Sequence, residues 1–314
     1  MKKCLIILMI CCGCGTAYAN SELSIAIANT RTLCGGIGNE LGEIKKLAGI
    51  NTAVTATGTV AGGGATVVGL VKSSTDKIAE EIEAELANLR KMAYAQNPLN
   101  LKPIHVNWAA TSPRANKNNA ISEKERQLAQ LNEKSKSMGN WRTGLMATSV
   151  ATNIAGAVIA GTNQVKGDLK SQIDACVESV KNLSNVRMQA RISGTANEQD
   201  LAYAENIVRA CEEWDTVDVS SINKKASGAA ISSGVGAGLG LAGVVTSAMA
   251  NTDKTRNDNS DTGKEKEKNL NTAANVLAGG TTIASATATI FNATQINATK
   301  RAVSVANKCE EALR

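Results

Sequence analysis

Four long stretches without a single charge set the pattern of this chain: Leu47 to Val71, Thr143 to Val165, Ala226 to Thr252 and Asn269 to Thr299. Within them large apolar residues recur at helical spacing. Met146, Val150, Ile154 and Val158 form an i, i+4 ladder, Ile231, Val235 and Leu239 another, and Val276, Ile283 and Ile290 repeat every seventh residue. Such stripes predict amphipathic helices, each turning one apolar face towards a protein core. The charged segments Asp76 to Lys91, Ser122 to Lys136 and Leu169 to Arg187 predict solvated helices between them. All three prolines, Pro98, Pro103 and Pro113, fall in one interval, which marks 97–118 as an irregular loop. Asp253 to Lys268, with alternating charge sign, reads as a short polar connector. The expected fold is all-α: helical hairpins of long Gly/Ala-rich helices, packed as a bundle.

The chain also resembles itself. A shift of 177 residues places Cys34 on Cys211 and Thr75-Asp76-Lys77 on Thr252-Asp253-Lys254, while a shift of 133 places Cys176 on Cys309. This reads as a duplication, with residues 20–196 as the first helical repeat and 197–314 as the second. In each repeat a short helix carries a cysteine, two uncharged helices form a hairpin, and a second cysteine closes the unit. An antiparallel hairpin returns its first and last cysteines to one end, so Cys34 with Cys176 and Cys211 with Cys309 are the expected bridges. Each closes a loop of roughly a hundred residues or more, where chain-entropy models give about 4–5 kcal/mol, reduced by strain.

Residues 1–19 give those cysteines their context. Lys2 and Lys3, the apolar run Cys4 to Cys12 and Ala17-Tyr18-Ala19 before Asn20 have the three parts of a cleavable secretory signal. Lipidation of Cys14 behind Gly13 is the rival reading, set back by Cys11 and Cys12 where such sites use Leu and a small residue. Cleavage removes four of the eight cysteines and leaves an even set for an oxidising compartment, the periplasm or cell envelope. Zinc is the alternative, but no two of the remaining cysteines have the short spacing of a Cys-rich site and His105 is the only histidine.

Composition narrows the function. Aromatic residues are 2% and hydrophobic residues 43%, so small side chains and close backbone approach must supply the packing. Gly58 with Gly62, and Gly234, Gly236, Gly238 and Gly240, give Gly-x-x-x-Gly spacings suited to helix packing. The formal charge of +6 falls to +4 without Lys2 and Lys3. With few stacking aromatics and no dense basic stripe, nucleic-acid binding is not expected.

Apparent catalytic motifs fail on their mechanisms. Gly238, Gly240 and Gly243 match a dinucleotide fingerprint but lack the strand before it. Ser74 to Lys77 and Ser221 to Lys224 match Ser-x-x-Lys without its companion elements, and helix capping is the expected role of these serines. Asn257 to Gly263 resembles a calcium loop with its glycine one place late and no closing Glu. Glu80, Glu81, Glu83 and Glu85 read as a solvated face, and the sequons at Asn292 and Asn297 as incidental. No catalytic, metal or cofactor site is therefore expected.

The balance favours a non-enzymatic structural or interaction protein of the bacterial cell envelope, partnered by another protein or by itself. The alternative is a membrane-inserting or pore-forming protein. A helix of 23 residues rises about 35 Å, enough for a hydrocarbon core of about 30 Å. Against that stand the single apolar stripes and the scarcity of large apolar residues, seven in Thr143 to Val165. Only Trp141 borders an uncharged stretch closely, so an interfacial aromatic belt is poorly formed.

Overall fold

The computed structural model describes residues 22–95, 113–252, 255 and 260–314, and among them it is all helical, with no strand. α1 covers residues 22–34. α2 (Ile37–Ala95), α3 (Pro113–Thr162), α4 (Gly167–Ser193) and α5 (Glu198–Cys211) follow, then a single 3₁₀ segment (Glu212–Thr216), α6 (Val219–Ala250) and α7 (Asp261–Ala312). The expected signal peptide, His105 and most of the expected Pro-containing loop lie outside the described residues.

Local chemistry explains where helices stop. Gly36, at φ +83°, separates α1 from α2, and Gly194, at φ +62°, ends α4 with its N–H on the carbonyls of Ala190 and Arg191. Asn197 starts α5 by accepting from the Asp200 N–H, and Glu198 and Asp200 add negative charge to that first turn. Between α3 and α4, Asn223 clamps the chain from both sides: its Oδ1 accepts from Val165 N at 2.7 Å and its Nδ2 donates to Val165 O at 3.0 Å. Two expected irregular segments are partly helical. Residues 113–118 of the predicted loop belong to α3, because Pro113 at the first helical position needs no donor there. Residues 261–268 of the predicted connector belong to α7, whose start is marked by the Ser260 hydroxyl accepting from Gly263 N.

Burial along the long helices follows alternating steps of three and four. In α7 the buried positions run Ala274, Ala278, Thr281, Ser285, Ala288, Asn292, Gln295, Thr299 and Ala302. In α2 they run Ala48, Asn51, Thr55, Gly58, Gly62, Ala65, Gly69 and Lys72. That is the heptad seam of a left-handed coiled coil, here occupied by Ala, Gly, Ser, Thr and Asn in place of Leu and Ile. α3 repeats it through Met146, Ser149, Asn153, Gly156 and Ala160, and α6 through Ala229, Ser233, Gly236, Gly240, Gly243 and Ser247.

The bundle separates into two compact units, each drawing on both sequence repeats. The first holds the described residues up to Thr55 with Ala155–Ser233 and Thr287–Arg314, and the second holds Ala56–Ile154 with Gly234–Ala286. The first has a conventional core: Leu23, Ile37, Leu41, Ile173, Leu183, Ile207, Trp214 and Ile222 are buried together around the cysteines. In the second the buried apolar cluster contains only Ala65, Met146 and Ala278, with Leu145, Val244 and Leu277 against it. Paired hairpins are visible, as a duplication suggests. The two hairpins are not identical: the first breaks at residues 163–166, whereas the second runs through as the unbroken α7.

Candidate functional site

Three features distinguish this molecule: a four-cysteine centre, a polar seam, and an apolar exterior. Cys34 at the end of α1 meets Cys176 of α4 at disulfide distance, and Cys211 at the end of α5 meets Cys309 of α7. Cα separations are 4.8 and 4.6 Å. The two bridges are also neighbours, since the sulfurs of Cys34, Cys176 and Cys309 all lie within 4.8 Å of one another. Spacing along the chain concealed this convergence. Sulfurs held in disulfides are not thiolates and offer no metal ligand.

The seam is hydrogen-bonded across helices. In the first unit Asn51 Nδ2 donates to Asn292 Oδ1 at 2.9 Å, Thr289 Oγ1 donates to Thr55 Oγ1 at 3.1 Å, and Gln295 Nε2 donates to Asn163 O at 2.8 Å. Asn292, one of the sequon asparagines, is thus wholly enclosed. In the second unit Ser149 donates to the Gly58 carbonyl at 2.9 Å, and Asn153 Nδ2 donates to Ser285 Oγ at 2.8 Å.

A denser polar cluster lies where the uncharged stretches end. Arg142, fully buried, donates to Ser247 Oγ, Asn275 Oδ1 and Asn271 Oδ1 at 3.0, 3.0 and 2.9 Å. Lys72, also fully buried, meets Asp76 at 2.7 Å and Glu267 at 3.8 Å, and Ser135 donates to the same Asp76 carboxylate. A buried charge is tolerable only with such partners.

The glycines report how closely the helices approach. A Cβ on Gly240 would stand 2.6 Å from Val150 Cγ2, and Gly58, Gly62 and Gly236 meet side chains of neighbouring helices as closely. Gly234 and Gly238 do not take part and face open space. The two Gly-x-x-x-Gly motifs in α6 are offset by two residues, about 200° of rotation, so only one can lie in the seam.

The large apolar residues face the other way, which reverses the expectation for the stripes. Val276, Ile283 and Ile290 are 70, 70 and 64% exposed. Each stands two residues beyond a buried position (Ala274, Thr281, Ala288) and so on the opposite side of α7. Ile231 and Val235 are exposed on α6 for the same reason. In α3 the ladder begins buried at Met146 and Val150 and emerges at Ile154 and Val158, because i, i+4 steps precess by about 40° each. On α2 Val60, Val67, Leu70 and Val71 are exposed. Among the described residues, three helical segments, Glu22–Ala93, Asn118–Ser193 and Val219–Ala250, are long and apolar enough to cross a membrane, and α7 is not among them.

The remaining motifs are ordinary helix surface. Glu80, Glu81, Glu83 and Glu85 are exposed; Glu83 pairs with Lys264 at 2.9 Å, and that hydrogen bond holds the Lys264 ammonium above its usual range. Ser74 is mid-helix on α2 and caps nothing, since the helix continues to Ala95. Asp218 starts α6 instead of Ser221: its carboxylate accepts from Ser220 Oγ and Ser221 N, which keeps it below the usual carboxylate range. Gly238, Gly240 and Gly243 sit inside α6 with no strand before them. Searches against protein-family models, curated proteins and solved structures return no match.

Proposed function

We propose that this chain is an exported, non-enzymatic membrane protein of the bacterial cell envelope, in which the four uncharged helical stretches are spans and the four mature cysteines stand on the exported side. One observation carries the reading: large aliphatic side chains point outward from the uncharged stretches while Gly, Ala, Ser, Thr and Asn fill the seam. Water penalises that arrangement, and contiguous apolar patches above a few hundred Å² are rare on soluble monomers. A bilayer favours it. Small residues let helices touch, hydroxyl and amide groups bond across the interface, and aliphatic side chains meet lipid.

Two further features fit. Lys72 and Arg142 lie inside the seam at the ends of uncharged stretches, paired or hydrogen-bonded, the placement that ionisable residues take in membrane bundles. Four spans return the chain to its starting side, so export of the N-terminus puts all four mature cysteines in an oxidising compartment. The charged hairpin arms around Asp76 to Lys91 and Ser122 to Lys136 then belong to the other side.

Fractionation in high salt and alkaline carbonate tests the proposal. Retention in the membrane pellet until detergent is added is the expected result. Release without detergent overturns it, and light scattering of that soluble protein would then show whether copies of the chain cover one another's apolar faces.

A further inference from the structure

The adjacency of the two bridges serves no purpose in stapling, because either would hold its helices as well from a distance. We propose that the four cysteines form one thiol–disulfide exchange centre, entered by a small thiol or dithiol at Cys211. The geometry supplies both requirements. Cys34, Cys176 and Cys309 have sulfurs within 4.8 Å of one another, so a thiolate released at Cys309 has the neighbouring bridge within a small side-chain movement. Access is narrow, since all four cysteines are 2% exposed or less. A cleft of about 320 Å³ between α4, α5 and the 3₁₀ segment is lined by Val177, Arg187, Trp214 and Cys211, and Cys211 is the one cysteine on its wall. All four sulfurs are otherwise enclosed by the apolar core of the first unit.

The exchange runs in balanced steps. An external thiolate attacks Cys211 Sγ, forms a mixed disulfide there, and expels Cys309 as a thiolate. Cys309 then attacks Cys34 or Cys176. A new bridge to Cys309 forms, the Cys34–Cys176 bond breaks, and the displaced sulfur leaves as a thiolate that takes up a proton. If the reagent is a dithiol, its second sulfur closes on the first and releases Cys211, which is protonated in turn. The dithiol has then lost two electrons, and the chain has gained them as two thiols while keeping one bridge. Because the attacking species is the thiolate, the rate rises about tenfold per pH unit below the thiol pKa.

The test uses the full chain carrying Cys211→Ser, which leaves Cys309 without its partner beside an intact bridge. Free thiols are alkylated after incubation at about pH 7 and about pH 9 and located by non-reducing peptide mapping. Expected are Cys309–Cys34 or Cys309–Cys176 linkages with the label on the displaced cysteine, formed faster at the higher pH and independently of protein concentration. Label on Cys309 alone, with Cys34–Cys176 intact at both pH values, overturns the proposal. So does exchange confined to chains that have lost their helical circular dichroism. Should the variant fail to accumulate, the unaltered chain is treated with less than one equivalent of dithiothreitol and quenched in acid. Bridges joining Cys309 to Cys34 or Cys176 support the centre, and thiols at Cys211 and Cys309 beside an unchanged Cys34–Cys176 bridge sink it.

Discussion

The two compact units of this protein share their four long helices but are held together differently. The first encloses Leu, Ile, Val and Trp around two bridges, with short helices α1, α4 and α5 to cover them. The second has no such cover and keeps little but small and polar side chains inside. Aliphatic burial withdraws surface from water, about 1.5–3 kcal/mol for a fully buried Val, Leu or Ile, and stabilises the first unit in any aqueous setting. The second depends on close contact and hydrogen bonds between helices, which suffice where the outside is as apolar as the aliphatic residues facing it. The contrast is one of packing: an aliphatic core around two bridges in the first unit, close contact between small residues in the second.

Charging the exterior of the second unit should break this contrast most severely. Val60 and Ile283 lie near the middles of their uncharged stretches and point outward. With Val60→Asp and Ile283→Asp together, insertion should lose about 5–7 kcal/mol, at about 2.5–3.5 per charge, and the protein should leave the membrane fraction. If those faces meet water, each change stays within about 0.5 kcal/mol and fractionation is unaltered.

Removing a bridge from the first unit comes next. Cys211→Ser with Cys309→Ser opens a sequence separation of 98 residues and should lower stability by about 4–5 kcal/mol, less any strain released, as measured by denaturant unfolding in detergent. Truncation then separates the units directly. Ile207→Ala, in the first core, should cost about 2–5 kcal/mol in the same assay, whereas Ile283→Ala, 70% exposed, should change unfolding by less than about 0.5 kcal/mol.

Smaller effects probe the polar parts. Arg142→Met strands the Oδ1 acceptors of Asn271 and Asn275, while Ser247 keeps Thr143, at about 1–3 kcal/mol for each group left without a partner, and the midpoint of unfolding should fall accordingly. Asn197→Ala removes the cap of α5 and should cost about 1 kcal/mol, seen as a small shift in midpoint with unchanged fractionation.

Several of these features were legible in the residues. The uncharged stretches announced the long helices, and the self-alignment of the cysteines led to the pairs that the structure places at disulfide distance. The sidedness of the helices was not. A periodic stripe establishes that a helix has two faces but not which of them meets protein, and the expectation that Val276, Ile283 and Ile290 face a core assumed water outside. The contrary signal was present as Asn51, Thr55 and Gly58 on one helix and Ser285, Asn292, Gln295 and Thr299 on another, polar and small residues in alternating threes and fours. Hydrophobicity alone does not weight such positions. Nor did it reveal the Arg142 cluster, whose partners lie 105 to 133 residues away.

By itself the sequence determined the all-α class and the long uncharged helical stretches, because propensity and charge act locally. Only tertiary structure decided which stripe became the inside. Seam residues are selected by how closely backbones can approach, which depends on helices distant in the chain, and some of their amides bond across the interface, as Asn51 does to Asn292. The same holds for the sulfurs. Pairing followed from two hairpins taken singly, while the contact between the two bridges arose only when α1, α4, α5 and α7 packed around one core.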